Sequence, residues 1–366
     1  MGQPKVEGRG ARFLLTMAGA VIVIAGMKAA SSLILPLLVA VFLAMISLPL
    51  LNWLQGKRVP TALAVPATIL AALLVLGGIA GAIGGSIKGF TAKAPEYQER
   101  LETMAADVQQ WTEARGISLP EQLGKSLADL VDPSQAFNLI AGTLKGVAGA
   151  LSNLFLVLLT IVFILSEAAG FPAKLRAAFG RHESSQRFEN IKGEVQRYLG
   201  IKTLVSLTTG VVVVVALLII GVDFPLLWGM LAFLLNYVPT LGSILAAIPP
   251  VLLAMVQLGP GQALATALVF VGVNVVLGNF VEPHFLGRRL GLSTLVVFLS
   301  LVFWGWVWGP VGMLLSVPLT MIVKIMLENT EDLRWVAVLL GAGTKEPLAQ
   351  RPQAPSTAPP DKASSA

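Results

Sequence analysis

The amino-acid sequence lacks cysteine altogether and has only two histidines, His182 and His284, among its 366 residues. Without cysteine the chain has no disulfide, no thiolate nucleophile and no cysteine-bound metal. Two histidines are too few for a histidine metal centre, so we predict neither a metal nor another cofactor. Charged residues are also scarce, at 13%, whereas soluble domains carry about 25%. The composition therefore excludes an ordinary soluble domain.

Long uncharged runs stand where the charges are missing. The mean hydropathy is +0.79, and the longest uncharged run extends from Phe224 to Val281. A helix needs only about 20 residues to cross a hydrocarbon layer roughly 30 Å thick, so this run crosses more than once or folds back. We predict an all-α polytopic membrane protein with about eight transmembrane elements, two of them broken or hairpin-like, and a small helical extracytoplasmic segment.

The charged residues between the runs predict the order of the segments. Lys and Arg favour cytoplasmic loops, which places both termini in the cytoplasm and also accounts for the net charge of +6 without a nucleic-acid partner. The predicted segments are three transmembrane helices (1–89), a soluble helical extracytoplasmic loop (90–143), a transmembrane helix (144–166), basic cytoplasmic linker helices (167–202), a membrane transport region with broken helices (203–333) and a disordered tail (344–366).

Two surfaces of the N-terminal half are predicted to pack against other helices. Pro95 is predicted to begin the outer helix, and an apolar face follows it at spacings of four and three residues: Tyr97, Leu101, Met104, Val108 and Trp111. That face packs against a neighbouring helix of the same chain or against a partner. Glycines at every fourth position form a groove that admits another helix closely: Gly77, Gly81, Gly85 and Gly89.

Helix breakers cluster at two places inside the uncharged runs. Backbone groups freed in lipid need polar partners, and paired broken segments mark the binding site of repeat-built transporters. We therefore predict a solute path at the breaks. The predicted hinge residues are Pro239, Gly242, Pro249, Gly309, Gly312 and Pro318, and the predicted substrate-path residues are Asn236, Thr240, Ser243, Asn274 and Asn279.

Charged residues at the ends of the runs are candidates for anchoring or ion coupling. Glu282 is predicted to pair with Arg288 or Arg289 at the membrane edge. The alternative is that Glu282 or Asp223 titrates and couples proton entry to transport, because partial desolvation raises the pKa of a carboxyl group. Both interpretations remain open from the residues alone.

Three stretches together resemble the autoinducer-2 exporter family of bacterial transporters: Asn236–Pro250, Glu282–Gly291 and the glycine–proline pattern from Gly305 to Pro318. Ser293-Thr294 departs from the family pattern, in which a proline is expected after the Gly-Leu pair. The resemblance implies a multi-pass protein of the bacterial inner membrane that exports or exchanges small polar molecules. It also implies homo-oligomers whose protomers each carry a transport path.

The leading functional hypothesis is a secondary transporter that exports or exchanges a small polar solute, such as a quorum-sensing autoinducer, by alternating access. No GxxxxGK[ST] run supplies a nucleotide site, so the energy comes from a gradient of the solute, of protons or of sodium. The chain is not predicted to be an enzyme. The alternatives are a sodium/proton antiporter, which some relatives are assigned to be, and a non-transporting membrane scaffold that binds partners through its outer helix and tail.

Overall fold

The structure is a computed structural model that describes residues 7–114, 142, 154–168, 184–286, 292–328 and 334–341. Across these ranges every regular element is a helix and no strand occurs, which confirms the all-α prediction. The α-helices are α1 (Glu7–Ala29), α2 (Ser31–Gly56), α3 (Thr61–Ala114), α4 (Leu154–Ala168), α5 (Ser184–Ile220), α6 (Pro225–Leu235), α7 (Leu241–Leu258), α8 (Pro260–Val273), α9 (Glu282–Leu286), α10 (Thr294–Glu328) and α11 (Arg334–Leu340), with a π-helix at Asn274–Val281 between α8 and α9.

Among the described residues, six helices are long and apolar enough to cross a membrane, as a polytopic fold requires. Three shorter apolar helices, Met17–Ala29, Leu156–Glu167 and Pro225–Leu235, accompany them. Many large apolar side chains are exposed, among them Ile219, Leu33 and Leu74. In a membrane protein such apolar side chains face lipid. A helix can lie there because its backbone polar groups are hydrogen-bonded within the helix.

Two predicted segment boundaries, at residues 89 and 202, lie inside continuous helices. Helix α3 continues from the membrane through residue 89 as one helix of 54 residues, and Pro95 lies inside it, so the prediction that Pro95 begins a helix is wrong. Helix α5 likewise runs through residue 202 without a break. Helix α3 is about 81 Å long, which is far more than the thickness of a hydrocarbon layer, roughly 30 Å.

The first predicted break forms a hairpin, hairpin 1, in which α6 and α7 pack against each other. Its turn lies at Asn236–Thr240, and Thr240 has φ of 58°, a value that is uncommon for a β-branched residue. Gly242 closes the turn because a Cβ there would overlap the carbonyl oxygen of Leu235. The sequence therefore needs both breakers: proline ends one arm and glycine lets the second arm return alongside it.

The second predicted break forms hairpin 2 within α10. Trp308 and Gly309 leave the helical conformation, and Gly309 has φ of 64°. The Nε1 atom of Trp304 donates a hydrogen bond to Oγ1 of Thr320 at 3.0 Å, whereas a straight helix would hold these residues about 24 Å apart. Gly312 repeats the role of Gly242, because its Cβ would overlap the carbonyl oxygen of Trp304.

The two hairpins point in opposite directions along the helices that they contact. Hairpin 1 starts beside Asp223 at the C-terminal end of α5, and its tip reaches back to Thr203, where Tyr237 OH donates to Oγ1 at 2.7 Å. The base of hairpin 2 packs with Tyr198 near the other end of α5. Its tip lies against α1, where Trp308 Nε1 donates to the carbonyl oxygen of Met27 at 3.1 Å.

The predicted packing surfaces of α3 are filled only in part. Of the four groove glycines, only Gly89 has a close neighbour in this part of the chain, the ring of Phe224, and the other three meet nothing within 4 Å. On the apolar face Tyr97 is buried and Met104 is half-buried. The side chains of Leu101, Val108 and Trp111, the linker over 169–183 and the tail 344–366 lie outside the described residues.

Candidate functional site

A small cavity with a mainly apolar lining and a few polar side chains lies between hairpin 1, α5 and the π-helix. Three of the predicted substrate-path residues line it, namely Asn236, Ser243 and Asn274, together with Thr209, Ala232, Ala246, Phe270, Val273 and Gly278. Its volume is about 10 Å³, which is room for about one water molecule. The structure therefore brings together polar groups from three separate elements around one small space.

The cavity lies near the middle of the membrane if α5 crosses it. Thr209 is about 16 Å along the helix axis from the end of α5 at Ile220, and the hydrocarbon layer is roughly 30 Å thick. Asn236 stands at the tip of hairpin 1, buried to 7% exposure, and its Nδ2 atom donates to Oγ of Ser206 at 2.9 Å. Hairpin 1 thus carries a buried amide to mid-depth, where side-chain hydrogen bonds replace those that the turn breaks.

The π-helix supplies the opposite wall. Asn274 begins it and Gly278 lies one turn further along, so close that a Cβ there would stand 3.0 Å from Oδ1 of Asn274. π-turns are rare and occur frequently at functional sites. Asn279, in contrast, is exposed and does not line the cavity. Thr240 is also exposed, and its Oγ1 bonds to the carbonyl oxygen of Pro239 at 2.7 Å.

The predicted hinge residues fall where the two hairpins turn or pack. Pro239 and Gly309 lie in the turns, while Gly242, Pro249, Gly312 and Pro318 are buried in the returning arms. The prolines inside α7 and α10 leave helical carbonyl groups without a backbone donor. Pro239, Gly242, Gly309 and Gly312 therefore lie at or beside the two turns, whereas Pro249 and Pro318 lie inside helical arms. The hinge role of all six residues stays a prediction.

Asp223 is held in a dense set of contacts at one end of the bundle. Its carboxylate accepts hydrogen bonds from Nζ of Lys93 at 2.7 Å and from Tyr97 OH at 2.6 Å. Its backbone N–H donates to Oε1 of Gln257 at 2.9 Å, and Arg100 donates to the carbonyl oxygen of Gln257 at 2.7 Å. These contacts fasten the loop before hairpin 1 and the end of α7 to the long helix α3.

The same contacts correct the predicted direction of the pKa of Asp223. Partial burial of the carboxyl group raises its pKa, but the hydrogen bonds from Lys93 and Tyr97, with the positive charge of Lys93, outweigh burial and bring the pKa below its ordinary value. A carboxyl group with a lowered pKa stays ionised at neutral pH. The interpretation of Asp223 as a group that titrates because its pKa is raised is therefore wrong.

Glu282 has a partner that the sequence did not indicate. Both of its carboxylate oxygens accept from Nζ of Lys202, at 2.7 Å and 2.8 Å. Arg288 and Arg289 lie outside the residues that the structure describes, so their pairing with Glu282 stays a prediction. In the sequence-based segments Lys202 is the last residue of the predicted basic linker (167–202).

Helix α5 supplies most of what the sequence prediction missed. Lys202, Ser206 and Thr209 lie at spacings of four and three, which places them on one face of the helix. Ser206 and Thr209 are buried, and each lies beside a predicted path residue. Their spacing was the available signal, but serine and threonine are so common in membrane helices that it did not stand out.

The chain is similar to known transport proteins over most of its length. The model of the AI-2E family transporters matches residues 14–332. The AI-2 transport protein TqsA of Escherichia coli is 38% identical over 94% of this chain and 100% of its own length.

The chain belongs to the AI-2E transporter family.

Other relatives of the AI-2E chain span it equally well. The putative transport protein YhhT of Escherichia coli is 36% identical over 94% of this chain and 98% of its own length. A putative transport protein of Haemophilus influenzae is 38% identical over 90% and 96% of the two chains. Family and fold together establish a multi-pass membrane protein with a role in transport.

Proposed function

We propose that this AI-2E protein moves a small polar solute across the bacterial inner membrane by alternating access, with the cavity as part of its path. The observation that carries the proposal is the meeting of Asn236, Ser243 and Asn274 around one small cavity. Polar side chains at membrane depth are costly unless they serve a structure or a pathway. Sites at the midplane between broken helices are typical of secondary transporters.

The size of the cavity indicates that the structure is a closed state. A volume of about 10 Å³ holds about one water, so a solute enters only when the walls separate. Hairpin 1 is the wall that is able to move, because it is anchored at its base by Asp223 and turns at a strained residue, Thr240. The opposed direction of hairpin 2 offers the corresponding movement from the other side.

The relatives suggest AI-2 as the solute, because TqsA is named an AI-2 transport protein. The direct test is efflux of AI-2 from proteoliposomes that contain the purified protein, with protein-free liposomes as the blank. Asn274→Leu should reduce efflux about tenfold or more, because leucine cannot hydrogen-bond to the solute and obstructs the cavity wall. A tenfold change corresponds to about 1.4 kcal/mol, which these two effects together exceed.

Asn279→Leu provides the comparison on the same helix. Asn279 is exposed, so the cavity predicts normal efflux for Asn279→Leu, whereas the sequence-based path assignment predicts a loss. Equal efflux from Asn274→Leu and the unaltered protein, with AI-2 transport present, would remove the cavity from the path.

Sodium/proton antiport is the second candidate, and the ion pair between Lys202 and Glu282 is the observation that favours it. Antiport needs an ionisable group within the membrane, and Lys202 is 3% exposed. Sodium-dependent pH changes inside the same proteoliposomes distinguish the two: antiport acidifies or alkalinises the lumen without any organic solute. A membrane scaffold would show neither AI-2 efflux nor a pH change.

A further inference from the structure

The ion pair between Lys202 and Glu282 is the most deeply buried pair of opposite charges in the part of the chain that the structure describes. The side chain of Lys202 is 4% exposed and that of Glu282 is 16% exposed. Nζ of Lys202 contacts both carboxylate oxygens, at 2.7 Å and 2.8 Å. Two charges removed from water in this way stabilise each other only while they stay together.

The ion pair lies directly beyond the cavity. On α5, Lys202 is one helical turn from Ser206, which bonds to the cavity residue Asn236. On the other wall, Glu282 is one turn from Gly278, which also lines the cavity. Both walls therefore lead from the cavity toward the ion pair, which joins the two walls beyond it.

Opening the walls at this end separates the two charges unequally. Glu282 stands at the end of the π-helix, and the next three residues, Pro283, His284 and Phe285, are exposed, so its carboxylate reaches the surface by a short movement. Lys202 lies in the middle of α5 and is buried on all sides. Removing one partner of a buried pair leaves an uncompensated charge at high cost. That charge is the ammonium group of Lys202.

We infer that Lys202 is an anion-binding residue, and that the transported solute carries a negatively charged group which replaces the carboxylate of Glu282 when the walls separate. The inference rests on the proposed transport function and names the substrate class of the same site. A carboxylate or phosphate group satisfies an ammonium group with short, charge-assisted hydrogen bonds. Glu282 thus acts as an internal stand-in for the solute and keeps the empty site neutral.

The absence of native cysteine allows the charge of the site to be measured without knowing the solute. Ser243→Cys places one thiol on the cavity wall in proteoliposomes. Its rate of modification is measured with two methanethiosulfonate reagents of similar size, one carrying a sulfonate and one a trimethylammonium group. Each rate is divided by that reagent's rate with a free thiol in solution.

The anionic reagent should react about tenfold faster or more than the cationic one, because Lys202 is left unpaired when the walls separate, and a buried charge in a narrow space concentrates ions of opposite sign. Adding Lys202→Met should reverse the preference, since Glu282 then remains without the positive charge of Lys202. The double substitution Lys202→Met/Glu282→Gln should abolish it. The double variant also covers failure of the single variant to fold, because it leaves no buried charge unpaired.

The outcomes separate this inference from the proposed function. Equal corrected rates, or faster reaction of the cationic reagent, overturn the anion site and leave transport standing. No reaction with either reagent shows a cavity that never opens to water, which overturns both. An anionic preference that survives in the double variant assigns the charge to another group and also overturns the role of Lys202.

Discussion

At the scale of single residues, two glycines permit the hairpins. Gly242→Ala and Gly312→Ala each place a Cβ against a backbone carbonyl oxygen, that of Leu235 and that of Trp304. Overpacking of this kind costs about 1–3 kcal/mol, so both variants should unfold at lower temperature in detergent. The measurement is thermal unfolding followed by intrinsic fluorescence.

Gly272→Ala is the matched control for these variants. Gly272 lies inside α8 and its Cβ would meet nothing within 4 Å, so the added methyl group should leave the unfolding temperature unchanged or raise it. A comparable loss in Gly272→Ala would show that any added methyl group destabilises this protein, and the hairpin explanation would fall.

Two adjacent threonines test the cavity at the same scale. Thr209 is buried and lines the cavity, whereas Thr208 is exposed and bonds only to the carbonyl oxygen of Leu204. Valine has nearly the same shape as threonine, so each replacement removes one hydroxyl group and little else. Thr209→Val should lower the transport rate several-fold and Thr208→Val should leave it unchanged; a similar rate for both would place the solute elsewhere.

At the scale of helices, the contacts of Asp223 hold α3 to the base of hairpin 1. The pKa of Asp223 in the folded protein lies below its ordinary value of 3.8, so its stabilising effect is fully present above about pH 4 and is lost as the pH falls through the folded-state pKa. Asp223→Asn removes the charge and should lower the unfolding temperature at pH 7. That difference should shrink as the pH falls below 3.8, and a difference that is constant with pH would contradict the argument.

The elements also show how far the sequence alone could predict this fold. The two breaks were predictable because proline and glycine leave a local signature in the chain. The continuity of α3 across Pro95 was not predictable from the sequence. Lys93 and Tyr97, on either side of this proline, both bind the carboxylate of Asp223, which is distant in the sequence.

Part of the candidate site was beyond sequence reasoning for the same reason. Asn236, Ser243 and Asn274 were predicted because polar residues stand out in an uncharged run. The partner of Glu282 is a long way off in the sequence, and only the packing of α5 against the π-helix brings Lys202 to it. Charge pairing over such distances follows from tertiary structure, which the order of the residues does not display.

At the scale of the molecule, Gln257 and His284 lie at opposite ends of the bundle. Gln257 contacts Asp223, and His284 follows the ion pair at the far end of the helix that starts at Pro260. Cysteines introduced at the two positions should therefore react with an impermeant reagent from opposite faces of oriented vesicles. Labelling of both from one face would refute this topology, and the face that labels at His284 identifies the cytoplasmic side predicted from the basic residues.

The homo-oligomer expected from the sequence stays a prediction at this scale. The groove glycines of α3 give it a specific test, because the described residues leave Gly77, Gly81 and Gly85 without a neighbour within 4 Å. Gly81→Cys should form disulfide-linked dimers in membranes on mild oxidation, and Gly272→Cys in α8, where an added Cβ likewise meets nothing within 4 Å, serves as the control. Equal cross-linking of both would indicate random collision.

The length of α3 has a mechanical consequence. About 50 Å of an 81 Å rod lies beyond a layer roughly 30 Å thick, and the contacts of Lys93, Tyr97 and Arg100 clamp that rod to the loops beside it. A tilt of about 10° at Tyr97 would move Ala114, which lies about 26 Å further along α3, by about 4 Å. Small rocking steps inside the bilayer are thereby magnified into a stroke that a probe at the far tip would register.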